Sequence, residues 1–161
     1  MVRPRARRPR FQADYGVPTG EEGLLPWEHV ERRLVSAQNY WVITIGAAGT
    51  PHASPVWAVW MNGSLYFSCG RETQKARNLT RNPKTTVHLE SGQDVVILRG
   101  IAQELTDDPP EATLIAAFRA KYDADVIPDS AADLNGLFYV VRPRTAIAWA
   151  NFPSDVTRWD F

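Results

Sequence analysis

The sequence predicts a mostly β fold with peripheral helices: an antiparallel barrel whose ends and gaps are plugged by two or three helices. Three observations carry this expectation. Six or seven segments have strand character, with alternating side chains or runs of β-branched and aromatic residues. Asn62-Gly63, between two of them, is a strong hairpin signal, because both residues tolerate positive φ. Helical segments are too few to alternate with the strands as βαβ units require, which argues against a parallel doubly wound sheet. At 161 residues the chain has the length of one domain, enough to bury roughly two-thirds of its unfolded surface.

The elements follow in order. "MVRPRARRPR" holds Arg3, Arg5, Arg7, Arg8 and Arg10 and no acid. Its prolines block a continuous helix and its charge density disfavours packing, so residues 1–10 are expected to be a disordered basic arm, followed by a single domain over 11–161. "GLLPWEHVERRLVSAQ" places Trp27, Val30, Leu34 and Ala37 at helical spacing, with Pro26 suited to the first helical position. "YWVITIG" alternates Trp41, Ile43 and Ile45 against Tyr40, Val42 and Thr44, and "AAGTP" is a turn. "HASPVWAVWM" reads as one strand running to Asn62-Gly63, with Trp57, Val59 and Met61 on one face and Ser54, Val56, Ala58 and Trp60 on the other. "SLYFSCG" returns. "TQKARNLTRNP" is a helix of barely two turns, ended by Pro83.

After it come "KTTVHLE", a turn at Ser91-Gly92 and the long strand "DVVILRGIAQEL". "TDDPPEATLIAAFRAKY" reads as a helix capped by Asp108 and opened by Pro109 and Pro110, with Leu114, Ile115 and Phe118 as its apolar face. "DADVIPDSAADLNG" is a loop, "LFYVVRP" and "TAIAWANF" are two closing strands, and "PSDVTRWDF" is a short tail.

Composition and motifs remove several function classes. The chain is 44% hydrophobic and 22% charged, with no apolar run long enough to span a bilayer. The N-terminus lacks a secretory apolar stretch, so the cytoplasm is the expected compartment. A single cysteine, Cys69, rules out an intrachain disulfide framework, and His29, His52 and His88 are too dispersed for metal-ligand spacing. No Walker loop, G-x-G-x-x-G, H-E-x-x-H or G-x-S-x-G is present. Cys69 and His52 form a nucleophilic pair only if their strands are neighbours, and the favoured reading of Cys69 is a small buried hydrophobe. The arm holds five of the eighteen basic residues, so the rest is net acidic; the arm reads as a solvated tail, and nucleic-acid contact is not expected except weakly through it.

The positive signal is the short helix. Its first turn is the positive end of the macrodipole, yet it carries Lys75, with Arg71 before it and Arg77 after it. If Thr73 caps it, the N–H groups of Gln74, Lys75 and Ala76 make an anion site that Lys75 and Arg71 reinforce. Asn78 shares a face with Lys75 and adds a neutral donor or acceptor; Ala76 and Leu79 form the packing side. The competing reading is a solvated helix face. The hairpin just upstream carries Trp57 and Trp60, and the six tryptophans of the whole chain supply flat apolar surface, either for the core or for stacking a planar ring.

"GTPHASPVWAVWMNGSLYFSCG", "TQKARNLTRNPKTTVHLE" and "DVVILRGIAQELTD" together resemble the pyridoxamine 5′-phosphate oxidase-like split β-barrel proteins, over about residues 24–161. The most specific parts are the Lys-Ala-Arg-Asn-Leu helix with Asn82-Pro83 and the Gly100-x-Ala102 strand. The ending "TRWDF" is similar to the branch containing deazaflavin (F420-type) reductases. The resemblance implies an antiparallel split β-barrel that forms a homodimer, with each cofactor in a groove between two barrels. It implies ring contacts from His52, Ala53, Ser54, Pro55, Val56 and Trp57, and places Ser68 and Cys69 near the ring or its side chain. Gln74 and Lys75 match the phosphate-binding pair, with Gln74 where pyridoxamine-phosphate oxidases carry arginine. Asn78 falls near the phosphate, and Trp149 and Arg158 match residues reaching over from the second subunit.

"PSDVTRWDF" stands in place of the Arg-Leu-His-type motif that holds the substrate phosphate in true pyridoxamine-phosphate oxidases, so vitamin B6 oxidation is not expected. The implied function is an oxidoreductase moving hydride between a deazaflavin of the F420 type, alternatively flavin mononucleotide (FMN), and a small-molecule acceptor. A non-catalytic carrier of flavin, deazaflavin or haem uses the same groove. In either case the protein supplies orientation and electrostatics, and no side chain is assigned as an obligatory acid or base.

Overall fold

Alternation along Tyr40–Ile45 separates inside from outside: Tyr40, Val42 and Thr44 are fully buried, while Trp41, Ile43 and Ile45 face outward. The computed structural model describes residues 4–105, 111–122 and 136–161. In it the chain forms β1 (Arg5–Arg7), α1 (Trp27–Ser36), β2 (Tyr40–Ile45), β3 (Pro51–Val56), β4 (Ala58–Met61), β5 (Ser64–Gly70) and α2 (Gln74–Arg81). Then come β6 (Lys84–His88), β7 (Val95–Glu104), α3 (Glu111–Lys121), β8 (Gly136–Trp149) and β9 (Thr157–Asp160). Every strand pairing is antiparallel. The order runs β1-β9-β8-β7-β6-β2-β3, with β5 also on β8 and β4 on β5. The expected mostly antiparallel split barrel is what forms.

Among the described residues β3 pairs only with β2, and β4 only with β5, so the barrel is open between β3 and β4. The helix α2 packs against β2, β3 and β5 and so bridges the two sides of this opening. From α1, Val30 and Leu34 enter the main core. From α3, Leu114, Ile115 and Phe118 pack with Val59, Tyr66, Phe138 and Val140 in a second cluster, so both helices use their predicted faces. Pro26 caps α1 rather than opening it, and the carbonyl of Pro26 accepts from the His29 N–H at 3.0 Å. The Asn62-Gly63 turn has φ of 53° and 73°, the double positive pattern of a type I′ hairpin.

Several expectations are corrected. The two predicted closing strands are one, β8, whose second edge is shared between β5 (Gly136 to Val141) and β9 (Thr145 to Ala148). The "RPR" stretch that reads as a break is a bulge. Register jumps from Arg99↔Thr145 to Gly100↔Pro143, leaving Arg144 as the extra residue. Gly100 is needed there, because a Cβ would lie 2.2 Å from the Arg142 carbonyl oxygen. "HASPVWAVWM" is not one strand: Trp57 is the crossing residue between β3 and β4, and alternation fails because Ala58 and Val59 are both buried. Consequently β3 and β5 are not neighbours, and the Cys69–His52 pairing is not formed.

The tail is the strand β9, with Trp159 only 1% exposed. The basic arm is also partly folded: Arg5–Arg7 form the edge strand on β9. Arg7 bonds Asp160 at 2.6 Å, and the Arg8 guanidinium satisfies the carbonyls of Gly20 (3.1 Å), Ser154 (3.0 Å), Val156 (2.8 Å) and Glu22. Charge density did not prevent packing because the arginines found carbonyl and carboxylate acceptors. The expected Asp108 cap with Pro109 and Pro110 lies outside the described residues, as does the expected loop over 123–136 apart from Gly136, which begins β8.

Candidate functional site

The capping expectation for α2 holds. Thr73 Oγ1 accepts from the Ala76 N–H at 3.3 Å and donates to the Gly70 carbonyl at 2.8 Å. No acid occupies the first turn. Of the three basic residues there, two are committed. Arg71 faces Glu104 at 4.0 Å across the surface, and Arg77 turns back to the Glu72 carbonyl and to Gln74 Oε1 (3.2 Å). Lys75 is half-buried and makes no hydrogen bond or ion pair among the described residues. It lies close enough to the end of β5 to act on Cys69. Burial pushes the Cys69 thiol up, opposed by a hydrogen bond with Thr73 and by the Lys75 charge.

Asn78 differs from its expected role. It is fully buried, and both ends of its amide are used: Nδ2 donates to Thr44 Oγ1 at 2.9 Å and Oδ1 accepts from Gln74 Nε2 at 2.7 Å. Asn78 therefore braces α2 against β2 rather than offering a free donor to a phosphate. Gln74 is likewise committed, to Asn78 and Arg77. Asn78→Ala strands the buried Thr44 hydroxyl, so it is expected to lower folding stability by about 1–3 kcal/mol in urea denaturation. An unchanged midpoint would show that the brace does not hold in solution.

Between the β2–β3 turn and α2 lies a cavity of about 340 Å³, lined by Gly46, Thr50, Pro51, His52, Gln74 and Asn78 among others. Along β3, His52, Ser54 and Val56 point inward beside Thr44, Val42 and Tyr40, whereas Ala53, Pro55 and Trp57 face outward. His52 Nδ1 and Ser54 Oγ are buried with no hydrogen-bond partner among the described residues. Buried polar atoms are normally paired, so two orphans on one strand require an explanation. Trp57 is 44% exposed and stacks on Tyr122, ring centroids 4.7 Å apart and nearly parallel at 8°. Tyr122 went unnoticed in the sequence; its only signal was a Lys-Tyr pair closing an apolar helix.

The structure thus gathers His52, Gln74 and Asn78 at one cavity and places Lys75, Arg71, Ser68 and Cys69 by the end of β5. Trp149 and Arg158 do not join them within one chain: β7, β6 and β2 lie between β8 and β3, and β5 meets β8 at its other end, from Gly136 to Val141. Trp149 meets Phe152 edge-on at 5.8 Å. Arg158 holds Asp160 at 2.7 Å, and hydrogen bonds from Arg7 and Arg158 keep the Asp160 carboxyl below its ordinary value. Among the described residues no group of three or more His, Cys, Asp or Glu is placed to hold a metal ion. No described helix is long and apolar enough to cross a membrane.

Residues 27–150 match the family model described as pyridoxamine 5′-phosphate oxidase. No curated protein matches. Among solved structures, an F420 reductase is similar at 22% identity and a TM-score of 0.59, covering 71% of this chain and 94% of its own. A conserved hypothetical protein from Mycobacterium tuberculosis is similar at 18% identity and a TM-score of 0.68, covering 88% of each chain. The haem storage protein from Vibrio cholerae is similar at 18% identity and a TM-score of 0.61, covering 74% of this chain and 90% of its own. At these identities the likeness is one of fold.

Proposed function

Because the chain belongs to the pyridoxamine 5′-phosphate oxidase family, we propose that it is an oxidoreductase moving hydride between an F420-type deazaflavin, or FMN in its place, and an organic acceptor. One observation carries the reading: uncommitted groups line α2 and β3. Among the described residues they are Lys75 without a partner, the orphaned His52 Nδ1 and Ser54 Oγ, and the unpaired backbone edge of β3. These fit a ligand with an anion at one end and a planar polar ring at the other. When bound, the ring supplies the hydride chemistry.

The chain's own residues bind and orient. Lys75 and the first-turn N–H groups of α2 that the Thr73 cap does not use, those of Gln74 and Lys75, hold the anion. The free edge of β3 offers donors and acceptors to the ring edge, and the indole of Trp57 supplies a stacking surface. With Gln74 tied to Asn78, a single cation serves the anchor, which suits a deazaflavin whose charge is spread along its side chain. β9 occupies the end of the chain, where the substrate-phosphate motif of a true pyridoxamine-phosphate oxidase is missing, so a different acceptor is proposed.

A second copy of the chain belongs to this reading. One register row crosses the outer face: Pro55, Trp41, His88, Ile97, Ile147 and Arg158. Two-fold pairing about the middle of this row covers its apolar centre and brings Arg158 of the partner subunit to the β3 end. Separate fluorescence titrations with FMN and with F420-type deazaflavin are expected to show saturable binding of one. Sedimentation is expected to show a dimer of the 18.1 kDa chain. Binding of neither overturns the oxidoreductase reading, and binding without turnover of any acceptor assigns carriage instead.

A further inference from the structure

Trp57 is the single residue between β3 and β4, a position where an exposed indole would ordinarily be free to turn. Here it is backed by a stack. Tyr122 lies parallel to it at 4.7 Å, and Phe118, buried in the α3 cluster, lies behind Tyr122 at 5.9 Å. The Tyr122 hydroxyl grips the backbone of the next residue: it accepts from the Ala58 N–H at 2.9 Å, and its own proton faces the carbonyls of Ala58 and Gln38, each at 2.9 Å. Lys121 closes the clamp. Its Nζ donates to the Ala58 carbonyl at 3.0 Å and to Tyr40 Oη at 2.6 Å, while the Tyr40 hydroxyl donates to the Leu34 carbonyl.

The Lys121 ammonium also lies over the faces of Tyr40 (4.7 Å) and Tyr122 (5.4 Å). Burial brings it down to about 8 and pushes both tyrosine hydroxyls up. Half-burying a lysine opposes folding, and apolar packing alone would attach α3 without it. What the polar clamp adds is a fixed corner: backbone, neighbouring ring and indole plane are all set at once.

We propose that Lys121 and Tyr122 are positioning residues that hold the Trp57 indole in one plane, making its uncovered face a preformed stacking platform for the planar ring of the ligand. This rests on the ring-ligand reading above. Preorganisation removes an ordering cost from binding, so the clamp acts on affinity without touching the ligand. His52 and Trp57 are five steps apart along extended chain, about 17 Å, and on opposite faces, so on this reading the ligand lies along the free edge of β3 with its ring at the Trp57 end.

The test has two arms. Protein labelled with 5-fluorotryptophan gives a ¹⁹F resonance for Trp57, identified by its loss in Trp57→Phe. The resonance is expected to move or broaden in Tyr122→Ala and Lys121→Met, and to move less in Tyr122→Phe, which keeps the stack but loses the hydroxyl's hold on the Ala58 backbone. In the second arm, whichever of FMN or deazaflavin binds the parent is titrated into the variants. Tyr122→Ala and Trp57→Ala are each expected to weaken binding about tenfold, with the double variant no worse than either, because both remove one platform.

An unmoved Trp57 resonance in both Tyr122→Ala and Lys121→Met, or an additive loss of about a hundredfold in the double variant, overturns the proposal. If Tyr122→Ala does not fold, Lys121→Met, which keeps an apolar stem, decides through the same two readouts. Binding of neither ligand by the parent removes the platform together with the ligand reading; a Trp57 resonance released by Tyr122→Ala would then show the clamp alone.

Discussion

Lys75→Ala is expected to weaken cofactor binding by about 1.5–3 kcal/mol, the worth of a hydrogen bond to a charged group, with little change in folding stability. The asymmetry follows from its surroundings. Lys75 holds nothing in the fold: no acid, carbonyl or hydroxyl among the described residues accepts from it. It stands in a helix turn whose dipole disfavours a cation, so removing it relieves a small repulsion in the free protein. With a bound phosphate the same charge is stabilised by a direct pair. Titration of the variant with FMN and with deazaflavin, beside a urea denaturation curve, checks both halves. Unchanged affinity would return Lys75 to a solvated helix face; a large loss of stability would mean that it serves the fold.

Trp159→Ala is expected to cost about 3–5 kcal/mol of folding stability, the range for truncating a large buried aromatic side chain. Such a loss is a large part of the roughly 5–15 kcal/mol that holds a typical domain together. Trp159 is 1% exposed and stands between Ala6 on β1 and Ala146 on β8, two small residues that leave room for the indole. Its ring meets Trp27 of α1 edge-on at 5.4 Å. Urea denaturation of parent and variant followed by circular dichroism measures the difference. A loss below about 1 kcal/mol would show that the tail does not pack on the barrel in solution.

How far the sequence reaches depends on how local the deciding interactions are. The cap at Thr73, the turn at Asn62-Gly63 and the apolar faces of α1 and α3 were legible, because each is settled by partners within a few residues. The candidate anchor Lys75 was legible for the same reason: its anomaly is a property of one helix turn. Asn78 was not. Its spacing puts it on the ligand-facing side of α2, but Thr44, 34 residues away, takes its amide inward. The clamp on Trp57 joins residues 64 apart and left almost no local trace.

The chain's own alternation, turn chemistry and helix ends determined a mostly antiparallel barrel and a capped short helix with a lysine in its first turn. Tertiary structure alone decided where β3 stops, that the arm and tail become strands, and which polar groups stay uncommitted. Edge pairing explains the difference. Arg7 and Asp160 are 153 residues apart, and a strand's partner is chosen by which edge the rest of the sheet leaves open, a quantity that no local stretch of sequence contains.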